Sequence, residues 1–238
     1  MRIALIGYGK MGQAIEQIAV QRGHEIVLKV SIENIEDNTV ENIRKADVAI
    51  EFTGPEIAFD NIIKCFDAGV PVVSGSTGWL QRFEEAKNYC TQHKGALLYA
   101  SNFSVGVNIF FALNKKLAEL MASHPEYSVA VKEIHHTHKK DAPSGTAITL
   151  AEGILPWYPQ LKNWVNHQSS RTDELVIVSE RVDPAPGTHS IAYRSEIDDI
   201  EITHTAHNRK GFATGAVLAA EFILNRKGIF SMNEVLGI

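Results

Sequence analysis

An α/β fold is predicted: a doubly wound parallel sheet at the start of the chain, then a second, α+β domain with a mixed or antiparallel sheet. Three observations predict it. The chain opens on a short apolar run, Ile3 to Ile6, that passes straight into Gly7-Tyr8-Gly9-Lys10-Met11-Gly12. Apolar runs then alternate with helical patterns to about residue 105, as strands buried on both faces of a parallel sheet do. Past residue 170 strand-like runs arrive with turns and no helices between them, which suits a separate sheet of other pairing.

The bulk numbers narrow the function classes. With 238 residues, 45% of them hydrophobic, the chain has enough apolar surface for one large or two small domains. A net charge of −5 without a basic block argues against nucleic acid or an anionic membrane as partner. No apolar stretch approaches transmembrane length, and the N-terminus reads as a first strand rather than a signal peptide, so a cytoplasmic protein is expected. Cys65 and Cys90 fall in predicted helices and read as reduced thiols.

In chain order, the first strand is followed by Ala14, Ile15, Ile18 and Ala19 at helical spacing. A second strand is predicted over 26–32, with Glu33 at its end, 21 residues past Gly12. Strand, G-x-G-x-x-G, helix, strand and acid make up the Rossmann-type dinucleotide-binding pattern. Its glycines allow a tight turn and let a pyrophosphate approach the helix N-terminus, and Glu33 is placed to accept from a ribose hydroxyl. Strands are predicted at 48–53, 71–74 and 96–100, with helices at 56–68 and up to about residue 93. Strand ends line the ligand crevice in such a sheet, so Thr53, Gly75, Ser76, Thr77 and Asn102 are predicted to meet the cofactor. A helix is predicted over 107–122, apolar at Ile109, Phe110, Leu113, Leu117 and Leu120. Strands follow at 127–136, 175–182, 190–195 and 200–205. Residues 155–173 read as a loop or lid. A helix over 213–225 is predicted to rejoin the first domain. The domains expected are 1–105 with 212–238, binding a dinucleotide, and 106–211.

The densest chemistry lies in residues 133–147, which hold three of the ten histidines, two lysines and an aspartate. Strand, polar loop and a helix N-capped by Ser144 follow one another there, so cations and free backbone N–H groups converge where an anion could be held. Four readings compete for His135, His136, His138 and Lys139. Metal binding is the weakest, since adjacent strand histidines face opposite ways and no paired Cys or carboxylate stands at a familiar spacing. A structural polar network and a phosphate-binding loop are the second and third. The fourth is proton transfer beside a nicotinamide.

The stretch Glu133-Ile134-His135-His136-Thr137-His138-Lys139-Lys140-Asp141-Ala142-Pro143-Ser144-Gly145-Thr146-Ala147 closely resembles the signature of the dihydrodipicolinate reductase family. The blocks 51–56, 74–78, 101–108 and 209–216 resemble family blocks in family order, so the resemblance covers nearly the whole chain. It implies reduction of 4-hydroxy-tetrahydrodipicolinate, through its dehydrated form, to tetrahydrodipicolinate in lysine and diaminopimelate synthesis. It also implies that His135 is the acid/base residue and Lys139 the proton donor, with His136, Gly145 and Thr146 holding substrate carboxylates. Cofactor contacts are implied at Gly7, Tyr8, Gly9, Lys10, Met11, Gly12, Glu33, Phe52, Thr53, Gly75, Ser76, Thr77, Ala100, Ser101, Asn102 and Phe103. No metal is expected. The second domain would bind substrate and join a homotetramer. Two departures stand out: the glycine turn is shorter than in many relatives, and Asn34 follows Glu33 where some members place an arginine for a 2′-phosphate. Between NADH and NADPH, an acid without that cation favours NADH, unless Lys29 or Arg44 compensates. Two other classes fit the first half alone: a dehydrogenase of another amino or keto dicarboxylate such as aspartate, and a non-catalytic nicotinamide sensor.

Overall fold

The computed structural model describes residues 1–208 and 210–238, which form two compact units. Unit 1 gathers residues 1–105 and the stretch after Asn208; unit 2 is Gly106–Asn208. Arg209, part of one family-like block, lies outside the described residues.

Unit 1 begins β1 (Arg2–Ile6), α1 (Lys10–Gln21), β2 (Glu25–Val30), α2 (Val40–Ile43), β3 (Val48–Glu51), α3 (Ala58–Asp67), β4 (Val72–Ser74), α4 (Phe83–Gln92) and β5 (Ala96–Tyr99). Unit 2 carries α5 (Val105–Met121), β6 (Ser128–His135), α6 (Gly145–Ile154), β7 (Asn163–Val165), β8 (Glu174–Arg181), β9 (Thr188–Arg194) and β10 (Asp199–Thr205). The chain then returns to unit 1 with α7 (Lys210–Ile223), β11 (Gly228–Phe230) and α8 (Met232–Leu236).

The six strands of unit 1 run parallel in the order β11-β5-β4-β3-β1-β2. Alternation splits β1 between two cores. Ile3 and Leu5 pack with Ile15 and Ala19 of α1 and with Ala216, Val217 and Ala220 of α7. Ala4 and Ile6 face Ile62, Cys65 and Phe66 of α3 on the other side. Burying each Ile or Leu contributes about 1.5–3 kcal/mol, so the continuous apolar run at the N-terminus commits the sheet to cover on both faces. Strand order reverses at β1, whose neighbours are β2 and β3, and ligands bind at such switch points.

Unit 2 is built on a mixed sheet in the order β10-β9-β6-β8-β7. The central strand β6 pairs antiparallel with β9 and parallel with β8. Val131, Ile177, Ile191 and Tyr193 from the sheet meet Phe110 and Ala118 of α5 and Leu150 and Ile154 of α6.

Several expectations change in detail. β2 ends at Val30, because Asn34 turns back and its side-chain oxygen accepts from Ser31 N–H at 2.8 Å. Ile32, expected in the strand, is 93% exposed. The buried face of α5 is Val107, Phe110, Asn114, Ala118 and Met121, while Ile109, Leu113 and Leu120 face out. Asn114 turns inward because its amide donates to Leu150 O at 2.9 Å. Residues 155–173 are no free lid: a 3-10 turn at Leu155–Trp157, the buried Tyr158 and β7 make them the edge of the sheet. A three-residue strand is too short for periodicity to register, and β11 escapes sequence reading for the same reason.

Helix α7 rests against Phe103 so closely that a Cβ on Gly215 would lie 1.7 Å from Phe103 O. Gly215→Ala is expected to cost about 3 kcal/mol, the upper end for overpacking. Gly211→Ala meets only an ordinary 3.5 Å contact with Ser104 Oγ and is expected to cost far less. Urea denaturation of the two variants checks this; equal midpoints would refute the close approach.

Candidate active site

In unit 1 a cleft of about 400 Å³ opens at the ends of β1, β2 and β3, lined among others by Gly7, Tyr8, Gly9, Phe52 and Thr53. Gly7 has φ +99°, and a Cβ there would stand 2.1 Å from Phe52 O, so only glycine lets the two strand ends come together. Gly9 is the N-cap of α1 and offers no side chain, which leaves the first-turn amides for a ligand. Gly12 does different work: buried, it lets α1 lie against Gly7 O, which a Cβ would approach to 2.6 Å. Ile32, Ile35 and Ile57, all exposed, give the cleft apolar walls.

Below the cleft a buried carboxylate ties strand ends together. Glu51, with no exposed surface, accepts from Thr53 N–H at 2.9 Å, Ser74 Oγ at 2.6 Å and Ser76 Oγ at 2.7 Å, as well as from the Thr53 hydroxyl. Thr53 and Ser76 are therefore held in place by a residue the sequence reading gave no role. Gly75 lies beneath the Phe52 ring, where a Cβ would stand 2.2 Å from Cζ. Phe103 is buried with its ring 5.5 Å from that of Phe52, and Ala100 is buried beside it in the core. Lys10, Thr77 and Ser101 are exposed; Met11 is half-buried, and Asn102 accepts from Ser104 N–H at 2.9 Å. Glu33 is exposed and stands outside the cleft lining, one residue past Ile32.

The two cations that could compensate for a missing arginine, Lys29 and Arg44, are already engaged. Lys29 Nζ lies 2.6 Å from Glu16 Oε1 and 5.0 Å from the Tyr8 ring centre, and the Tyr8 hydroxyl donates to Glu16. The Lys29 hydrogen bond, with that of Tyr8, holds the Glu16 carboxyl below its ordinary range. Arg44 reaches Asp67 O at 3.4 Å. The Asn34 amide donates to Lys29 O at 2.8 Å and to Asp37 at 2.9 Å, so all of its polar atoms serve the turn.

In unit 2 the histidine loop leaves the end of β6 and enters α6. Ser144 caps α6, accepting from Ala147 N–H at 3.2 Å. Strand alternation sends Glu133 and His135 to one face, and His189 of the neighbouring β9 joins them. His135 Nδ1 lies 3.3 Å from Glu133 Oε2, an ion-pair distance without hydrogen-bond alignment. The His135 and His189 rings meet edge to face at 5.0 Å. Glu133, wholly buried, also accepts from Ser144 N–H at 3.1 Å on each oxygen and from Ser179 Oγ at 2.7 Å, with Arg181 at 3.3 Å. Burial alone pushes this carboxyl up, but the close His135 imidazole and the bonds from Ser144 and Ser179 outweigh it and hold Glu133 well below the usual range. Burial, reinforced by His135, pushes His189 down to about 4.

The loop itself is pinned at two further points. Thr137 gives Asp183 its N–H at 3.1 Å and its hydroxyl at 2.6 Å, and Arg181 donates to Asp141 O at 2.6 Å. Lys139 Nζ sits 2.8 Å from both oxygens of Asp141 and keeps that carboxyl below its ordinary range. His136 is half-buried, with Nδ1 out of solvent and without a hydrogen-bond partner among the described residues. Gly145 is exposed and Thr146 half-buried in the first turn of α6. All five predicted residues of this unit thus fall on one strand–loop–helix segment. Glu133, His189 and Arg181 were missed as partners. The i, i+2 spacing of Glu133 and His135 could have revealed the first; the others come from separate strands. The ligand atoms of Glu133, His135 and His189 all lie within 4.8 Å of one another. That set fits a metal poorly, because Glu133 already serves Ser144, Ser179 and a guanidinium.

Two family profiles cover the chain: dihydrodipicolinate reductase, N-terminus, over residues 1–103, and dihydrodipicolinate reductase, C-terminus, over 106–236. The chain belongs to the dihydrodipicolinate reductase family. A relative from Christiangramia forsetii named 4-hydroxy-tetrahydrodipicolinate reductase is 50% identical over 99% of this chain and 98% of its own length. One of the same name from Neisseria meningitidis serogroup C is 31% identical over 94% of this chain and 84% of its own. Dipicolinate-bound dihydrodipicolinate reductase from Paenisporosarcina sp. TG-14 shares the fold, with a TM-score of 0.78 at 24% identity over 97% of each chain. Among the described residues no helix is long and apolar enough to cross a membrane.

For this dihydrodipicolinate reductase family member the depressed His189 has a consequence for stability. Unfolded, a histidine takes up a proton near pH 6.5; folded, His189 does so only at about 4. Between those values the unfolded state binds more protons, so stability is lost as pH falls from about 6.5 to about 4, by up to about 3 kcal/mol. Below about 4.3 the depressed Glu133 carboxyl adds to the loss. Urea midpoints between pH 7 and 4.5 are expected to fall for the parent and to fall less for His189→Gln; parallel curves would contradict the burial of a neutral imidazole.

Proposed function

We propose that this protein reduces 4-hydroxy-tetrahydrodipicolinate, through its dehydrated cyclic form, to tetrahydrodipicolinate, with a nicotinamide dinucleotide as reductant, in lysine and diaminopimelate synthesis. The observation that carries the reading is 50% identity, end to end, with a relative of that name. The glycine-turned cleft of unit 1 suits a dinucleotide: a close backbone approach, an open helix N-terminus and apolar walls. The bound dinucleotide supplies the hydride. The residues that hold it are Gly7, Tyr8 and Gly9 at the turn, Phe52 and Thr53 at the end of β3, and Gly75 to Thr77 and Ala100 to Phe103 at the next two strand ends. Unit 2 binds the dicarboxylate: His136 and the first turn of α6 at Gly145 and Thr146 offer donors to carboxylates. His135 is the acid/base residue. Lys139 is the proton donor at the reduced centre, and Asp141 holds its Nζ through both carboxylate oxygens. Subunits associate as a homotetramer through unit 2, and the protein works in the cytoplasm.

NADH is the preferred reductant. A 2′-phosphate would meet the carboxylate of Glu33, while Lys29 is paired to Glu16, Arg44 reaches Asp67 and the Asn34 amide is spent on its own turn. Steady-state kinetics at fixed salt are expected to favour NADH in kcat/KM by about tenfold or more, a difference of about 1.4 kcal/mol. A preference for NADPH would reject this assignment.

Turnover is followed through nicotinamide absorbance with precursor generated in place. Lys139→Ala is expected to lower kcat by about 100-fold or more, the scale of a lost proton donor, with the cofactor Kd unchanged; wild-type turnover would remove Lys139 from the role. Pyridine-2,6-dicarboxylate, a planar mimic of the product ring, is expected to raise Tm in the presence of cofactor, and no shift would count against a cyclic dicarboxylate substrate.

A further inference from the structure

The glutamate at the centre of the unit 2 cluster has no part in the reaction as assigned above. We propose that Glu133 is a positioning residue for His135: its carboxylate faces Nδ1, keeps the neutral ring in the Nδ1–H form and leaves Nε2 as the atom that takes and returns the proton. This rests on the assignment of His135 as the acid/base residue.

The geometry supports it from both sides of the ring. On the Nδ1 side, Glu133 Oε2 stands 3.3 Å away. The carboxylate cannot swing, because Ser144 N–H holds both of its oxygens at 3.1 Å and Ser179 Oγ holds Oε1 at 2.7 Å. Buried completely, it acts through a medium of low dielectric, where a charge at this range counts for far more than it does in water. On the Nε2 side lies Gly187, in the turn before β9, with φ +154°; a Cβ there would come within 3.1 Å of Nε2. Glycine keeps that edge of the ring clear.

The charged and titratable groups around the ring leave the role to His135. From β8, Arg181 approaches Oε1 at 3.3 Å, so Oε2 is the oxygen left for imidazole. From β9, His189 Nε2 sits 3.7 Å from Oε2 and 3.1 Å from Ser144 Oγ. Burial keeps His189 neutral at working pH, so it packs against His135 without competing for the proton. His204 of β10 and Lys139 both act on His189 and push it the same way, and Asp141 neutralises the Lys139 ammonium. One carboxylate thus faces two imidazoles, and burial holds one of them, His189, neutral.

The test measures kcat, KM, cofactor Kd and the pH dependence of kcat for the full-length protein, its Glu133→Gln, Ser179→Ala and His135→Asn variants, and reads the His135 tautomer by nitrogen-15 NMR of the unsubstituted protein. Glu133→Gln is expected to lower kcat about 100-fold with KM and cofactor Kd within twofold. The pH limb that reports His135 should move to lower pH, because the imidazolium has lost its counter-charge. Ser179→Ala loosens the carboxylate without removing it and should move the same limb by less, which keeps the test open if Glu133→Gln does not fold. The neutral ring should report as Nδ1–H. An Nε2–H ring, or a Glu133→Gln enzyme with wild-type kcat and pH profile beside an inactive His135→Asn, overturns the positioning role alone. Full activity in His135→Asn overturns it together with the assignment of His135 as the acid/base residue.

Discussion

A carboxylate removed from water persists as an anion only where donors surround it, and unit 2 is arranged around that requirement at Glu133. The partners come from separate places: the N-cap of α6 donates through Ser144 N–H, β8 donates through Ser179 and Arg181, and β6 itself brings the His135 imidazole to 3.3 Å. Satisfying one buried charge therefore docks a helix start, two strands and a loop at a single point. Removing either the charge or its donors would leave the others unpaired in a dry interior, which is the costlier of the two states.

Unit 1 solves a related problem at Glu51. There the carboxylate is also fully buried, but its partners are neutral hydroxyls and an amide from Thr53, Ser74 and Ser76. The consequence is a rigid rim for the dinucleotide cleft, because the loops after β3 and β4 hang from one acceptor. In each unit a strand-end glutamate turns a loop that would otherwise be mobile into a preorganised ligand surface. The difference lies in the neighbours. Glu51 has hydroxyls and holds loops in place; Glu133 has imidazoles and a guanidinium and so bears on proton transfer.

Much of this was legible in the residues. Continuous apolar runs foretold strands covered on both faces, and the glycine turn foretold the cleft, because Gly7 and Gly9 are where a backbone must come close to a ligand. The Ser144 cap was readable for the same local reason, a hydroxyl three residues before a free amide. Less local features were misread. Leu113 and Leu120 look like a core stripe until Asn114 finds Leu150 O and turns the helix. Residues 155–173 look structureless until β8 offers an edge to pair with. Ile32 looks like the end of a strand until Asn34 folds that end into a turn.

The sequence by itself determined the class of chemistry: a dinucleotide turn, a histidine–lysine loop before a capped helix, and a family resemblance carried by both. Each of these depends on neighbours within a few residues, where covalent spacing already sets geometry. Only the tertiary structure decided which groups act on one another. Glu133 meets His189 and Arg181 because β9 and β8 flank β6 in register, and Lys29 of β2 is engaged because Glu16 of α1 lies 2.6 Å from its Nζ. Charge in a protein interior is governed by distance and burial, and neither is a function of position along the chain.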